Sequence, residues 1–94
     1  MITEIKNKKI FTNDVGYSFD GKKPTIILLH GSGQSHVVWS LADQFLAEKG
    51  FNVFNLDLPG HGNSEGPCLM SIEEISNWLN DFIEHVGIDK TILV

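Results

Sequence analysis

Asp57-Leu58-Pro59-Gly60-His61-Gly62-Asn63-Ser64 is the stretch on which the reading of this chain turns. It follows Phe51-Asn52-Val53-Phe54-Asn55-Leu56, a β-friendly run that predicts a strand. Asp57 closes that run. Pro59 lacks a backbone N–H, so the strand cannot continue through it. Gly60 and Gly62 permit the left-handed backbone that a tight, folded-back loop requires. A glycine- and proline-rich connection then runs on to Pro67.

The flanks on both sides alternate strand and helix. Upstream, Thr25-Ile26-Ile27-Leu28-Leu29 is continuously apolar rather than alternating, which predicts a strand buried on both faces. Gly31-Ser32-Gly33 breaks it. Val38, Leu41, Ala42, Phe45 and Leu46 recur at helical spacing, and Gly50 supplies a stop. Downstream, Ser71-Ile72-Glu73-Glu74 is a capping box. Ile72, Ile75, Trp78, Leu79, Phe82, Ile83 and Val86 mark one apolar helical face, which Gly87 ends. Thr91-Ile92-Leu93-Val94 begins another strand. This order predicts an α/β fold, a mainly parallel sheet flanked by helices and joined by right-handed crossovers. Before Thr25 the pattern is weaker. Ile5 to Phe11 is β-friendly with a turn at Asn7-Lys8-Lys9, Val15 to Phe19 alternates faintly, and Asp20-Gly21-Lys22-Lys23-Pro24 is a turn.

Ninety-four residues make one small domain, and 41% apolar with 20% charged residues is a globular composition rather than a disordered one. A net charge of −5 argues against nucleic acid and anionic membranes as partners, since both reward basic surface. The lysines at 6, 8, 9, 22 and 23 are expected to be solvated edge positions. Cys68 is the single cysteine, so no intrachain disulfide forms. The N-terminus has no apolar stretch of signal-peptide length, and the longest strongly apolar run, Ile26 to Leu29, is too short to cross a bilayer. The expected location is cytoplasmic.

Chemistry concentrates where the two strands end. A buried strand that breaks at Gly31-Ser32-Gly33 exposes backbone N–H groups at the carboxyl end of the sheet, where ligands bind in open α/β folds. Such groups hold a phosphate, or the oxyanion formed in acyl transfer. Three readings compete. Gly31-Ser32-Gly33-Gln34-Ser35-His36 half-matches the dinucleotide pattern G-x-G-x-x-G, with Asp57 ending the following strand, but His36 stands where the third glycine belongs. An ordinary strand-to-helix turn without a ligand is the second. An oxyanion loop is the third.

Together the two motifs resemble the front part of an α/β-hydrolase domain, from about Thr25 onward. Asp57 to Ser64 is similar to the D-x-P-G-x-G-x-S segment after that family's fourth strand. His30-Gly31 is similar to its His-Gly oxyanion loop, and Trp39 fits the tryptophan often found on the helix that follows. The resemblance implies that the backbone N–H of Ser32 donates to the oxyanion, with Gly33 as the second choice. It makes His30 structural, because the family's catalytic histidine lies far downstream. It implies that Asp57, His61 and Ser64, with Gly60 and Gly62, hold their loop by architecture rather than catalysis. His36 and His85 are expected at the surface or at helix ends, and the four histidines lack metal-ligand spacing. Gly62-Asn63-Ser64-Glu65-Gly66 also matches G-x-S-x-G. It has neither the strand before it nor the helix after it that a nucleophile elbow needs, so Ser64 is not expected to be a nucleophile.

In that family the nucleophile, acid and histidine follow the strand that begins near Thr91. The resemblance therefore implies that residues 1–94 form a partial domain ending at the strand before the elbow. It would supply the oxyanion loop of an enzyme acting on a small ester, thioester or related acyl substrate, and it would be inactive alone. No cofactor or metal is implied. The expected partners are a small-molecule substrate, if the remaining domain completes the site, and a second copy or complementary fragment at an exposed sheet edge. The alternatives are a non-catalytic truncated or complementing fragment and a small nucleotide-binding module.

Overall fold

The computed structural model describes residues 2–31 and 33–94. Its first elements are strands β1 (Ile2–Ile5) and β2 (Lys8–Phe11), an antiparallel hairpin. Lys6 and Asn7 turn it, both with positive φ, as a two-residue hairpin turn of matching twist demands. The turn thus lies one residue earlier than the sequence suggests.

Strand β3 (Thr25–Leu28) is buried throughout. It lies at the centre of a parallel sheet, between β4 (Asn52–Asn55) and β5 (Thr91–Leu93), in the order β4-β3-β5. The chain beyond β2 joins this sheet through an antiparallel bridge, Thr12 to Leu56. There Asp57 N–H donates to Phe11 O (2.9 Å) and Asn13 N–H to Asn55 O (2.8 Å). The architecture is the expected mainly parallel sheet with helices. Val15 to Phe19 forms no strand, although Val15 is buried against the sheet.

The two faces of the sheet carry separate cores, because alternate strand residues point opposite ways. Ile27, Phe54 and Leu56 pack with Trp78, Leu79 and Phe82 of helix α2 (Ile72–Val86). Ile26, Leu28 and Val53 pack with Ala47 of helix α1 (Ala42–Glu48), with Trp39, Leu46 and Phe51 partly buried beside them.

The helix expected from Val38 onward is interrupted. Residues His36–Trp39 form a 3₁₀ turn, and Leu41 breaks the backbone with φ 74° before α1 begins. Consequently Val38, Leu41 and Phe45 do not line the core, and Leu41 is 84% exposed. Ile72 also departs from its expected place. It is the first residue of α2 and is 81% exposed.

The start of α2 is capped as expected, with Glu74 N–H donating to Ser71 Oγ (3.1 Å). The reciprocal arm reaches one residue further back, and Glu74 Oε2 accepts from Met70 N–H (2.8 Å). Gly87 ends the helix in the left-handed conformation. Ser71→Ala should therefore cost about 1 kcal/mol. Urea unfolding would register it as a lower midpoint with an unchanged slope. Among the described residues no helix is long and apolar enough to cross a membrane.

Candidate functional site

The carboxyl ends of β3 and β4 carry the two motifs side by side. His30 follows β3 and is buried. Leu58 N–H donates to its Nε2 (3.0 Å), and its Nδ1 lies 2.8 Å from Gly31 O. One imidazole thus bridges the loop after β4 to the loop after β3.

The glycine loop is tied partly to itself. Gln34 N–H donates to Gly31 O (3.1 Å), and Gly31 N–H donates to Gln34 Oε1 (2.9 Å). Gly33 has φ 75°, a conformation that glycine adopts without steric cost. Among the described residues nothing accepts its N–H. Ser32, the first-choice oxyanion donor, lies outside the described residues. Trp39 follows in the 3₁₀ turn and packs against the α1 side of the sheet, with its indole Nε1 buried and unpartnered among the described residues.

Asp57 is the centre of the second motif. Its carboxylate is fully buried. Oδ1 accepts from His36 N–H (2.6 Å) and from His36 Nδ1 (2.9 Å), and Oδ2 accepts from Asn63 N–H (2.8 Å). Burial alone would raise its pKa. The hydrogen bonds from Asn63 and His36 and the nearby His36 charge outweigh burial, and hold the carboxyl below the usual 3.8. Gly62 must be glycine here, since an added Cβ would overlap that carboxylate. Likewise Gly60 leaves the space that Cys68 fills.

Ser64 and Glu65 fasten the loop to β2. Phe11 N–H donates to Ser64 Oγ (2.8 Å), while Ser64 Oγ donates to Asp57 O (2.7 Å). Lys9 N–H donates to Glu65 Oε1 (2.7 Å), and Glu65 N–H to Lys9 O (2.8 Å). His61 rests its ring on His30, centroids 4.9 Å apart, with Nδ1 3.1 Å from Pro59 O. Asp57, His61 and Ser64 thus each make contacts within this loop.

His36 is the first residue of the 3₁₀ turn, one of the two places expected for it, and its side chain is half-buried. Its ring is held between Asp57 and Phe11, the latter with ring centroids 4.8 Å away. A second buried polar group went unforeseen. Asp43 Oδ2 accepts from Asn55 Nδ2 (2.9 Å) and Asn13 Nδ2 (2.7 Å), and Asn55 Nδ2 also donates to His36 O (3.0 Å). Burial raises the Asp43 pKa, but the bonds from Asn55, Asn13 and Gln44 outweigh it, and the carboxyl again titrates below 3.8. The available signal was Asn55 itself, a polar residue inside an apolar strand that must find buried partners.

These bonds decide what the site can do. The Ser64 hydroxyl spends its one hydrogen on Asp57 O, so no base is placed to activate it. Both Asp57 oxygens are occupied, so none is free for a ribose hydroxyl, and a 3₁₀ turn rather than an α-helix follows the glycine loop. Both facts count against a nucleotide site. Among the described residues no group of three or more His, Cys, Asp or Glu is arranged to hold a metal ion.

A glycine loop after one parallel strand and an aspartate-anchored loop after its neighbour define the front of an α/β hydrolase. A family model described as alpha/beta hydrolase fold matches residues 24–94, and the chain belongs to that family. It is 32% identical over 88 residues to a proline iminopeptidase of Clostridioides difficile, covering 90% of this chain and 30% of that protein. It is 35% identical over 74 residues to a pimeloyl-[acyl-carrier protein] methyl ester esterase of Vibrio vulnificus, covering 79% of this chain and 28% of that protein. The chain thus spans about three tenths of the length of these curated relatives. Among solved structures, a predicted CIB-like hydrolase from Thermoplasma acidophilum superposes with a TM-score of 0.83 at 20% identity, over 99% of this chain and 47% of that one, a likeness of fold alone.

Proposed function

We propose that residues 1–94 are a partial hydrolase domain supplying the oxyanion loop of an enzyme that cleaves a small ester, thioester or related acyl substrate. The amide of Ser32 is the first donor and that of Gly33 the second choice. Other segments of the domain provide the nucleophile, the acid and the base. The carrying observation is the arrangement at the carboxyl edge of β3. There the Gly31 carbonyl is tied back by two donors, while the Gly33 N–H has no acceptor among the described residues. The esterase and peptidase names of the relatives support acyl chemistry. An oxyanion donor lost from such a loop costs about 3 kcal/mol of transition-state stabilisation.

Alone, the chain is expected to turn over no ester. Ser64 has its hydrogen engaged, and His30 and His36 have ring nitrogens committed to loop contacts. An assay with p-nitrophenyl acetate should give only the buffer rate, unchanged by Ser64→Ala. Steady turnover abolished by that substitution would contradict both the inactivity and the structural role of Ser64.

The partner of the chain, apart from substrate, is a second copy or a complementary fragment at β5. Ile92, Leu93 and Val94 are 53%, 51% and 53% exposed, and β5 pairs only with β3 among the described residues. Such an apolar edge promotes strand pairing. Sedimentation should detect association that Leu93→Lys weakens, and a monodisperse monomer would contradict it. The acidic charge and the exposed, unpaired Cys68 suit the cytoplasm.

A further inference from the structure

The chain between β2 and β3 forms a strap along the outer edge of β4, fastened at both ends. At the first, Asn13 N–H donates to Asn55 O (2.8 Å) and Asn13 Nδ2 to Asp43 Oδ2 (2.7 Å). At the second, Asp20 N–H donates to Asn52 Oδ1 (2.9 Å), and Asn52 Nδ2 donates back to Asp20 O (2.7 Å). Between these ties the strap stands off the strand. With Phe51 to Phe54 it borders a cavity of about 490 Å³. Small-molecule sites span roughly 300–1,000 Å³. No residue of the glycine loop or of the loop after β4 lines this cavity.

The lining selects one class of ligand. Its one charged group is the Asp14 carboxylate. Gly16 N–H donates to Asp14 Oδ1 (2.8 Å), and Oδ2 has no partner among the described residues. A second acceptor comes from β4 itself. Asn52 N–H donates to Pro24 O on the β3 side (2.8 Å), whereas Asn55 O accepts on the strap side. Backbone groups alternate between the two edges of a strand, so the Val53 N–H and C=O face the strap. No described residue of the strap bonds them, although Val53 is only 8% exposed. A shielded carbonyl without a partner calls for a donor. The amide nitrogens of Asn13 and Asn52 do not supply it, because both are engaged elsewhere. Aromatic rings stand beside these acceptors. Phe19 is 43% exposed, with its ring centroid 6.0 Å from that of Phe54. Aromatic faces next to a carboxylate favour an organic cation. Tyr17 already carries one ammonium, Lys23 Nζ, 5.6 Å from its ring centroid.

We propose that this cavity binds a small primary ammonium bearing an aromatic group. The ammonium pairs with the Asp14 carboxylate and the Val53 carbonyl, and the aromatic group covers Phe19. The site is separate from the one at the carboxyl ends of β3 and β4, and it does not rest on the oxyanion-loop reading.

The test is an NMR titration of the 15N-labelled chain with 2-phenylethylamine, beside 2-phenylethanol, its neutral counterpart of similar shape. The amine should shift the amides of residues 14–19 and 51–54 saturably and leave Gly33 and Leu58 unmoved. The alcohol should bind roughly tenfold more weakly, the scale of one charge-assisted hydrogen bond. Asp14 is exposed, so Asp14→Asn should keep the fold, which unmoved Leu58 and Asn63 amides verify. It should weaken the amine by a similar factor and leave the alcohol unchanged. Equal binding of amine and alcohol to the parent chain would overturn the proposal, as would undiminished amine binding in Asp14→Asn. Shifts scattered over the whole surface, or none that saturate, would overturn it too.

Discussion

Asp57→Ala is expected to unfold the chain at ordinary temperature. The substitution strands the His36 N–H, the Asn63 N–H and the His36 ring, all of which the carboxylate serves in a fully buried position. Removing one partner of a buried pair typically costs about 3–5 kcal/mol. Domains are stable by only about 5–15 kcal/mol, and small ones lie at the low end. The loop would also lose its attachment to the 3₁₀ turn, since His36 belongs to that turn. Circular dichroism should show loss of cooperative melting. A variant melting within a few degrees of the parent would contradict the account. Asp57→Asn keeps the shape and should cost less.

The same carboxylates set the acid limit. Asp57 and Asp43 both titrate below 3.8 in the folded chain. A folded pKa below the unfolded one means that the unfolded chain binds protons more readily. The stabilisation is therefore complete above the unfolded value of about 3.9 and is lost as pH falls through it toward the lower folded values. Melting temperature should be flat with respect to these groups from neutral pH down to about 5 and then fall, and in Asp57→Asn the fall should be shallower.

Phe82→Ala is the second large effect. Phe82 is fully buried, meets Phe54 edge-on at 5.5 Å and stacks on Trp78 at 5.6 Å. It fastens α2 to the sheet, so truncation both removes apolar burial and leaves a cavity. The expected cost is about 3–5 kcal/mol, with Phe82→Leu much milder. Denaturant unfolding followed by tryptophan fluorescence would register it, since Trp78 shares the contact. By contrast, Ile72→Ala should change stability by less than about 0.5 kcal/mol, because Ile72 is exposed. Equal effects at 72 and 82 would contradict the placement of the core.

What the sequence disclosed was local and periodic. The apolar run of β3 made a central strand legible, and Ser71 and Gly87 marked the ends of α2 because capping is short-range chemistry. The loop after β4 was legible because Pro59, Gly60 and Gly62 constrain backbone wherever they occur. The break at Leu41 was not, because helical spacing of Val38, Leu41 and Phe45 describes a face that need not be buried. Nor was the pairing of His36 with Asp57, residues 21 apart that meet only because parallel strands bring their carboxyl ends together. Asn55, Asp43 and Asn13 were missed because they come from β4, from α1 and from the chain after β2, and only the tertiary fold brings them together. The partner of Ser64 on β2, Phe11, was not legible either, because it lies 53 residues away in the chain.

The most direct measurement is amide hydrogen exchange at Gly33, read by NMR beside Leu58 and Asn63. If the glycine loop keeps an N–H open to negative charge, Gly33 exchanges at nearly the rate of an unstructured amide while Leu58 and Asn63 are slow. A Gly33 amide as protected as those two would mean that the loop's donor is already occupied, and the proposed role in catalysis would fail.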